Sequence, residues 1–200
     1  MAFISNGTTI LDNGAFSVGL GGLVLLSEQT ASASASISFT SGLDSTYPIY
    51  KFEFINIHPA TDNAGLSFNL STDGGSNYNV TKTTTTFRAI HDEANSEAVL
   101  EYDTGQDLAQ STSDQRILRF IGNGNDESGS GEMFLFNPSS TTFVKHFLAS
   151  SNTYYGGDYS FNDFTGGYGN TTSAVNAVKF QMSSGNIDSG TIKLYGIKDS

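Results

Sequence analysis

Cysteine and tryptophan are absent from this 200-residue chain, proline occurs only 3 times, and 9 basic residues face 20 acidic ones. Each shortage removes a class of function. Without cysteine there is no disulfide, no thiolate nucleophile and no Cys-based zinc site. Nucleic-acid binding draws most of its affinity from clustered Lys and Arg on phosphate. A net charge of −11 with no basic patch argues against it. No stretch comes near the ~18 apolar residues of a membrane-spanning helix, so no membrane contact is expected. The N-terminal MAFISNGTTILDNG has neither a basic segment nor a long apolar run, so no secretory signal is expected and synthesis in a cytoplasm is. No G-x-S-x-G, P-loop, H-E-x-x-H or C-x-x-C occurs, so neither an enzyme nor a cofactor is expected.

What is present is alternation. Near the C-terminus Val178, Phe180 and Met182 alternate with Lys179, Gln181 and Ser183, and Ile192 and Leu194 alternate with Thr191, Lys193 and Tyr195. Successive side chains on a strand point to opposite faces, so these are two half-buried strands. The link through Gly185 and Gly190 is too long for a two-residue hairpin. It either joins neighbours loosely or carries the chain to a second sheet. Polarity elsewhere comes from Ser, Thr, Asn and Gly, with charged residues at 14%.

Further strands are predicted throughout. Residues 1–22 are Gly-rich and read as an extended arm with one short strand, packed on its own domain or exchanged with a neighbour. Residues 23–200 read as a single domain, long enough to remove ~70% of its unfolded surface from water. Leu23–Leu26 reads as a short buried strand, and ASASASISFT at 31–40 as a strand with a thin inner face. In IYKFEFINI at 49–57, Tyr50, Phe52 and Phe54 share a face, while Ile55 and Ile57 turn the opposite face apolar. Leu66, Phe68 and Leu70 alternate, and VTKTTTTFRAI at 80–90 is a long β-branched strand. Residues 91–115 hold either a short helix or a strand around Ala98–Tyr102. Strands are also expected at 117–121, 133–136 and 142–149, followed by a long loop over 150–172. About nine to eleven short strands with at most one short helix call for an all-β antiparallel sandwich, preferably of jelly-roll type.

Candidate chemistry is sparse. His58, His91 and His146 lie far apart in sequence, and His146, between Val144 and Leu148, reads as a core or interface residue. The acidic run at 92–107 could place two carboxylates at the separation glycoside hydrolysis needs, but any acidic protein offers such pairs by chance and the run reads as a solvated loop. Asn123–Gly129 spaces oxygen ligands as calcium loops do, yet lacks the distal bidentate Glu, so no metal site is expected. The region 152–170 is the recognition candidate. Tyr154, Tyr155, Tyr159, Phe161, Phe164 and Tyr168 stand among Gly and Asn there, a composition suited to partner or glycan contact. The simpler reading, preferred over ligand binding, is that these rings pack over one end of the sandwich or between subunits.

Four blocks carry a family resemblance: ISNGTTILDNGAFS at the N-terminus, FINIHPATDN at 54–63, FNPSSTTFVKHF at 136–147 and GNTTSAVNAVKFQMSSGNIDSGTIKLYGI at 169–197. Together they resemble a family of small structural proteins of tailed bacteriophages, many of them marine. The resemblance implies a non-enzymatic virion protein, located on the particle after synthesis in the host cytoplasm. It further implies a capsid decoration, cement or head-fibre protein, or else a tail-associated fibre or receptor-binding protein recognising host surface glycan. The expected partners are other capsid or tail proteins and further copies of this chain, most simply as a homotrimer.

Overall fold

A computed structural model describes residues 3–5, 8–12, 15–16 and 22–198. The described residues contain no helix. Three short strands, β1 (Phe3–Ser5), β2 (Thr8–Asp12) and β3 (Ala15–Phe16), pair antiparallel with one another, which replaces the single strand expected of the arm. Twelve further strands follow: β4 (Leu23–Thr30), β5 (Ile37–Phe39), β6 (Ile49–Pro59), β7 (Ala64–Ser71), β8 (Lys82–Asp92), β9 (Ala98–Tyr102), β10 (Gln115–Ile121), β11 (Gly129–Phe136), β12 (Lys145–Tyr155), β13 (Tyr159–Gly169), β14 (Ala177–Met182) and β15 (Ile187–Ile197). All their pairings are antiparallel, so the all-β class holds with one strand more than the expected upper count.

The twelve strands form two runs. One has the order β4-β15-β6-β11-β12-β13-β8-β9, the other β10-β7-β14-β5, and the pair Ile121–Tyr155 joins β10 to β12. Consecutive strands from β4 to β7 alternate between the runs, as do β10, β11, β14 and β15. The pair β8–β9 and the hairpin β12–β13 interrupt this alternation and extend the long sheet. The closing link carries the chain from β14 in the short run to β15 in the long one.

The apolar faces of the two runs meet in the core. Phe180 of β14 lies 5.2 Å from both Phe52 and Phe54 of β6, edge to face, and Phe39 of β5 packs 5.5 Å from Phe52. Val178, Phe180, Ile192 and Leu194 are fully buried, as their alternation requires. Further along, Phe68 of β7 meets Phe147 of β12 at 4.9 Å, so the extension covers the short run too.

Three strand readings change. The 31–36 stretch is not a strand but the crossover from β4 to β5, held by the bridge Ser34–Ile187 and bent at Ala33 (φ 49°). Alanine and serine alternate there without the bulk that would anchor a sheet face. Leu23 and Leu25 are exposed because they lie on the outer face of β4, Leu25 in one row with Tyr195 and Lys51. In β6, Asn56 adopts φ 49° and shifts the phase, which returns Ile57 to the core at 0% exposure and leaves Ile55 outside at 37%. Asparagine tolerates this left-handed geometry better than other side chains. Opposite it, Gly190 (φ 115°) is required, because a Cβ there would meet the Asn56 carbonyl at 2.6 Å.

Under the extension the interior is polar and fully partnered. Lys82 and Lys145 stand in one row across β8, β13 and β12, with Gly169 between them, and both are buried. Lys82 Nζ donates to Asn69 Oδ1 at 2.6 Å and to the Val80 carbonyl at 2.9 Å. Thr84 donates to Gln115 at 2.7 Å, and Thr86 pairs with Thr165 at 3.1 Å. Among the described residues no buried side-chain nitrogen or oxygen lacks a partner.

Two predictions follow from this packing. Phe180→Ala is expected to cost about 3–5 kcal/mol through lost burial and the cavity left behind. Lys179→Ala, whose ammonium rests on the Tyr78 ring at 5.3 Å, should cost under about 1 kcal/mol. Denaturant midpoints decide, and equal losses would contradict the face assignment. Burial also holds the Lys82 ammonium down to about 8, against 10.5 ordinarily. Between those values the unfolded chain keeps a proton that the folded chain has released, so folding stability gains as pH rises through the window. The unfolding free energy of the native chain relative to Lys82→Met should therefore rise by up to about 3 kcal/mol from pH 7 to 10.5. A pH-independent difference would mean that the buried ammonium is not perturbed.

Candidate functional site

The residues singled out at 152–170 belong to a hairpin rather than a loop. β12 and β13 pair without a slip from Lys145–Gly169 to Tyr155–Tyr159, around a turn at Gly156-Gly157-Asp158. Its glycines resemble loop composition, but Thr153, Tyr155, Tyr159, Phe161 and Asp163 keep strict alternation on either side of the turn. That alternation divides the six rings. Tyr155, Tyr159 and Phe161 face inward, whereas Phe164 and Tyr168 face outward. Tyr154 also points outward and donates to Asp158 at 2.9 Å, a hydrogen bond that pushes its phenol up to about 12.

The inward rings line a cleft of about 290 Å³ beside the hairpin tip. Tyr155 and Tyr159 are cross-strand partners with ring centroids 5.5 Å apart. Phe120 of β10 adds a ring 5.6 Å from Tyr155 and 5.2 Å from Phe161. Arg88 and Ile90 of β8 form another wall, with the Arg88 guanidinium 5.4 Å from the Phe161 ring. Glu97 stands at the rim, and its Oε2 accepts the Tyr159 hydroxyl at 3.1 Å, which raises the Tyr159 phenol. Phe120 and Arg88 escape a sequence reading because their elements meet the hairpin only after folding, and Glu97, a member of the 92–107 acidic run, is joined to Tyr159 in the same way.

A buried fork holds this cleft in place. Arg119, 2% exposed, donates through Nε to both Asp163 oxygens at 2.9 Å and through Nη2 to Oδ1, and its Nη1 reaches Asp103 at 2.6 Å. Burial raises Asp163 although the guanidinium pulls it down, while two carboxylates hold the guanidinium charged. The ionised pair is the state that fits the geometry, since a neutral acid would remove a charged acceptor from two guanidinium N–H groups that make three contacts with it. For Asp103, burial pushes upward but the bond and charge of Arg119 outweigh it, leaving the carboxyl below its usual value.

The acidic run is largely committed to such contacts. Asp92 accepts from the Ser96 and Glu97 amides and closes a turn, Glu101 pairs with Arg88, and Asp107 accepts from the Thr86 amide and from Tyr102. The 98–102 ambiguity resolves as strand β9. Glu127 folds back to accept from the Gly124 amide at 2.5 Å and fills the 123–129 loop that resembled a calcium site. Among the described residues no three His, Asp or Glu side chains converge on a metal position. His146 is not in the core. It lies on the exposed outer face, with its ring 6.0 Å from that of Tyr168.

That outer face is the second candidate surface. Strand register aligns Glu28, Lys193, Glu53, Glu132, Ser150, Phe164, Phe87 and Tyr102 in one row across eight strands, charged at one end and aromatic at the other. Phe87 stacks on Phe164 at 4.8 Å. With Phe134, Leu148 and Gly166 these rings line a shallow groove of about 430 Å³. Leu148 is 55% exposed and Leu100, on the edge strand, 74%.

Removing one member of the buried fork should be costly. Asp163→Asn is expected to destabilise by about 3–5 kcal/mol by leaving Arg119 buried and underpaired. The double variant Arg119→Met, Asp163→Leu should recover most of that loss. A double-mutant cycle checks this, and additive losses would exclude coupling. Asp103 adds an acid-side term: its folded value lies below the unfolded one, so its stabilisation is complete above about pH 4 and is lost as pH falls through the folded value.

No model of a known protein family matches the chain, and no curated protein is similar to it in sequence.

Proposed function

We propose that this chain is a non-enzymatic structural protein of a tailed-phage particle, displayed on the particle surface as a capsid decoration, cement or head-fibre protein. Its strand connections favour a jelly roll, with β8–β9 and β12–β13 as additions that widen one sheet. The resemblance of the closing strand pair and of the 54–63 and 136–147 blocks supports the virion assignment. The commitment of Asp92, Glu101, Asp103 and Asp107 to structural contacts supports a role without catalysis.

The observation that carries the reading is the apolar groove on the outer face. Phe87, Leu148, Leu100 and Tyr102 expose adjoining hydrophobic surface on a covalently unstapled β-protein, and such patches mark partner surfaces. The occupant proposed is another copy of this chain, in a homotrimer docked on the particle. A net charge of −11 opposes association at long range, but salt screens it beyond roughly 8–10 Å and leaves apolar burial to decide. The tip cleft favours a second reading, in which the chain is a tail-associated protein that recognises host surface glycan.

Light scattering coupled to size exclusion on the full chain is expected to give a trimer at micromolar concentration. Leu148→Glu should shift it to a folded monomer whose unfolding midpoint falls only by the lost association and no longer depends on concentration, because Leu148 contributes little to the core. A native chain that stays monomeric, with no gain on adding emptied particles, would overturn the association.

A further inference from the structure

We infer that the cleft walled by Phe120, Tyr155, Tyr159 and Phe161 is a binding site for a neutral pyranose unit of a surface polysaccharide. The proposal rests on the glycan-recognition reading of this cleft, whose ligand it specifies, and does not depend on the association through the outer face.

The first argument is the backbone of Phe120. It adopts φ 53°, the left-handed region, where a bulky side chain is a rare and costly occupant. The residue sits where the register of β10 on β7 slips, between Leu118–Leu66 and Ile121–Ala64. Such a bulge re-aims side chains that strand alternation would send elsewhere. Here it puts Phe120 beside its neighbour Arg119, with both groups against Phe161. Strain is thus maintained at the one position that completes the aromatic wall.

The second argument is the chemistry of the lining. A pyranose has a C–H face that stacks on aromatic rings and a rim of hydroxyls that needs donors and acceptors. The cleft offers both: ring faces inside, and at its edge the Glu97 carboxylate, the Tyr159 hydroxyl bonded to it, and the Arg88 guanidinium. The Arg88 guanidinium is already balanced by Glu101 and Asp103, so the Glu97 carboxylate leaves the rim negative. Asp92 and Asp158 nearby add negative potential, which disfavours phosphorylated or carboxylated ligands, while Arg88 disfavours a quaternary ammonium in the aromatic wall. A cleft of about 290 Å³ lies at the small end of ligand sites and suits one ring better than an extended peptide.

The test uses the full-length protein, with ligand-observed saturation-transfer NMR for binding and protein amide spectra for its location. The probes are methyl glycosides of glucose, galactose, mannose and N-acetylglucosamine, with methyl glucuronide, choline and a polyproline peptide as competing chemistries. At least one neutral glycoside is expected to bind saturably in the millimolar range and to shift the Tyr155, Gly157 and Tyr159 amides. Tyr155→Ala and Glu97→Gln should each weaken it at least tenfold, whereas Tyr155→Phe, which keeps the ring, should stay within threefold of the native chain. Glu97 is exposed, so Glu97→Gln reports on the site even if Tyr155→Ala folds poorly. Absence of neutral-glycoside binding, binding indifferent to Glu97→Gln and Tyr155→Ala, or preference for choline, glucuronide or polyproline would each overturn the proposal.

Discussion

One guanidinium fixes the relation between the two runs of strands at the hairpin end. Arg119 rises from β10 in the short run, grips Asp163 of β13 with two bonds from Nε and one from Nη2, and reaches Asp103 in the segment after β9. Its flat faces lie against Phe120 and Phe161, at 5.8 and 5.2 Å. A carboxylate buried in this way is tolerable only with a charged, well-aligned partner. The pair therefore locks the position of β13 over β10 to within the tolerance of a hydrogen bond, and the wall of the tip cleft is set by the same contact. Thr153 hydroxyl, donating to the Arg119 carbonyl at 2.8 Å, fixes β12 to the same residue.

The long sheet is consequently held to its partner by two kinds of force. Around β6, β14 and β15 the contact is aromatic and aliphatic, non-directional, and worth most through buried area. Beneath β8, β12 and β13 it is a lattice of threonines, Gln115, two lysines and the Arg119 fork. Apolar packing tolerates small slips, whereas a satisfied polar layer does not, because each displaced group would be left buried without a partner. The polar half thus specifies register while the apolar half supplies most of the cohesion. A cleft placed at the end of the polar half inherits that geometric definition.

The two candidate surfaces are separated by strand alternation. Tyr155 and Phe161 point toward β10 and line the cleft, while Phe164 points away and stacks on Phe87 in the outer groove. A partner covering the outer groove would leave the inner side of the hairpin tip open, so assembly and ligand binding need not compete.

Period-two alternation is a property of neighbouring residues, and it was enough to mark β6, β7, β8, β14 and β15 and to assign an all-β antiparallel class. The inward face of Phe180 and Leu194 was equally legible, because only one side of such a strand can be wet. Legibility ended where a distant partner decides. The 150–169 part of the hairpin read as a loop because its glycines outweighed its alternation locally, while pairing of β13 with β12 and with β8 along its whole length makes it a strand pair. Asn56 and Phe120 break the alternation with left-handed residues that no local pattern announces, and these two bulges determine that Ile57 returns to the core and that a fourth ring enters the cleft. The site joins residues 88–97, 120 and 155–161, whose proximity depends on strand register and on one buried ion pair. Sequence by itself determined which residues alternate; only the tertiary structure decided which faces are covered, because covering is done by segments far away in the chain.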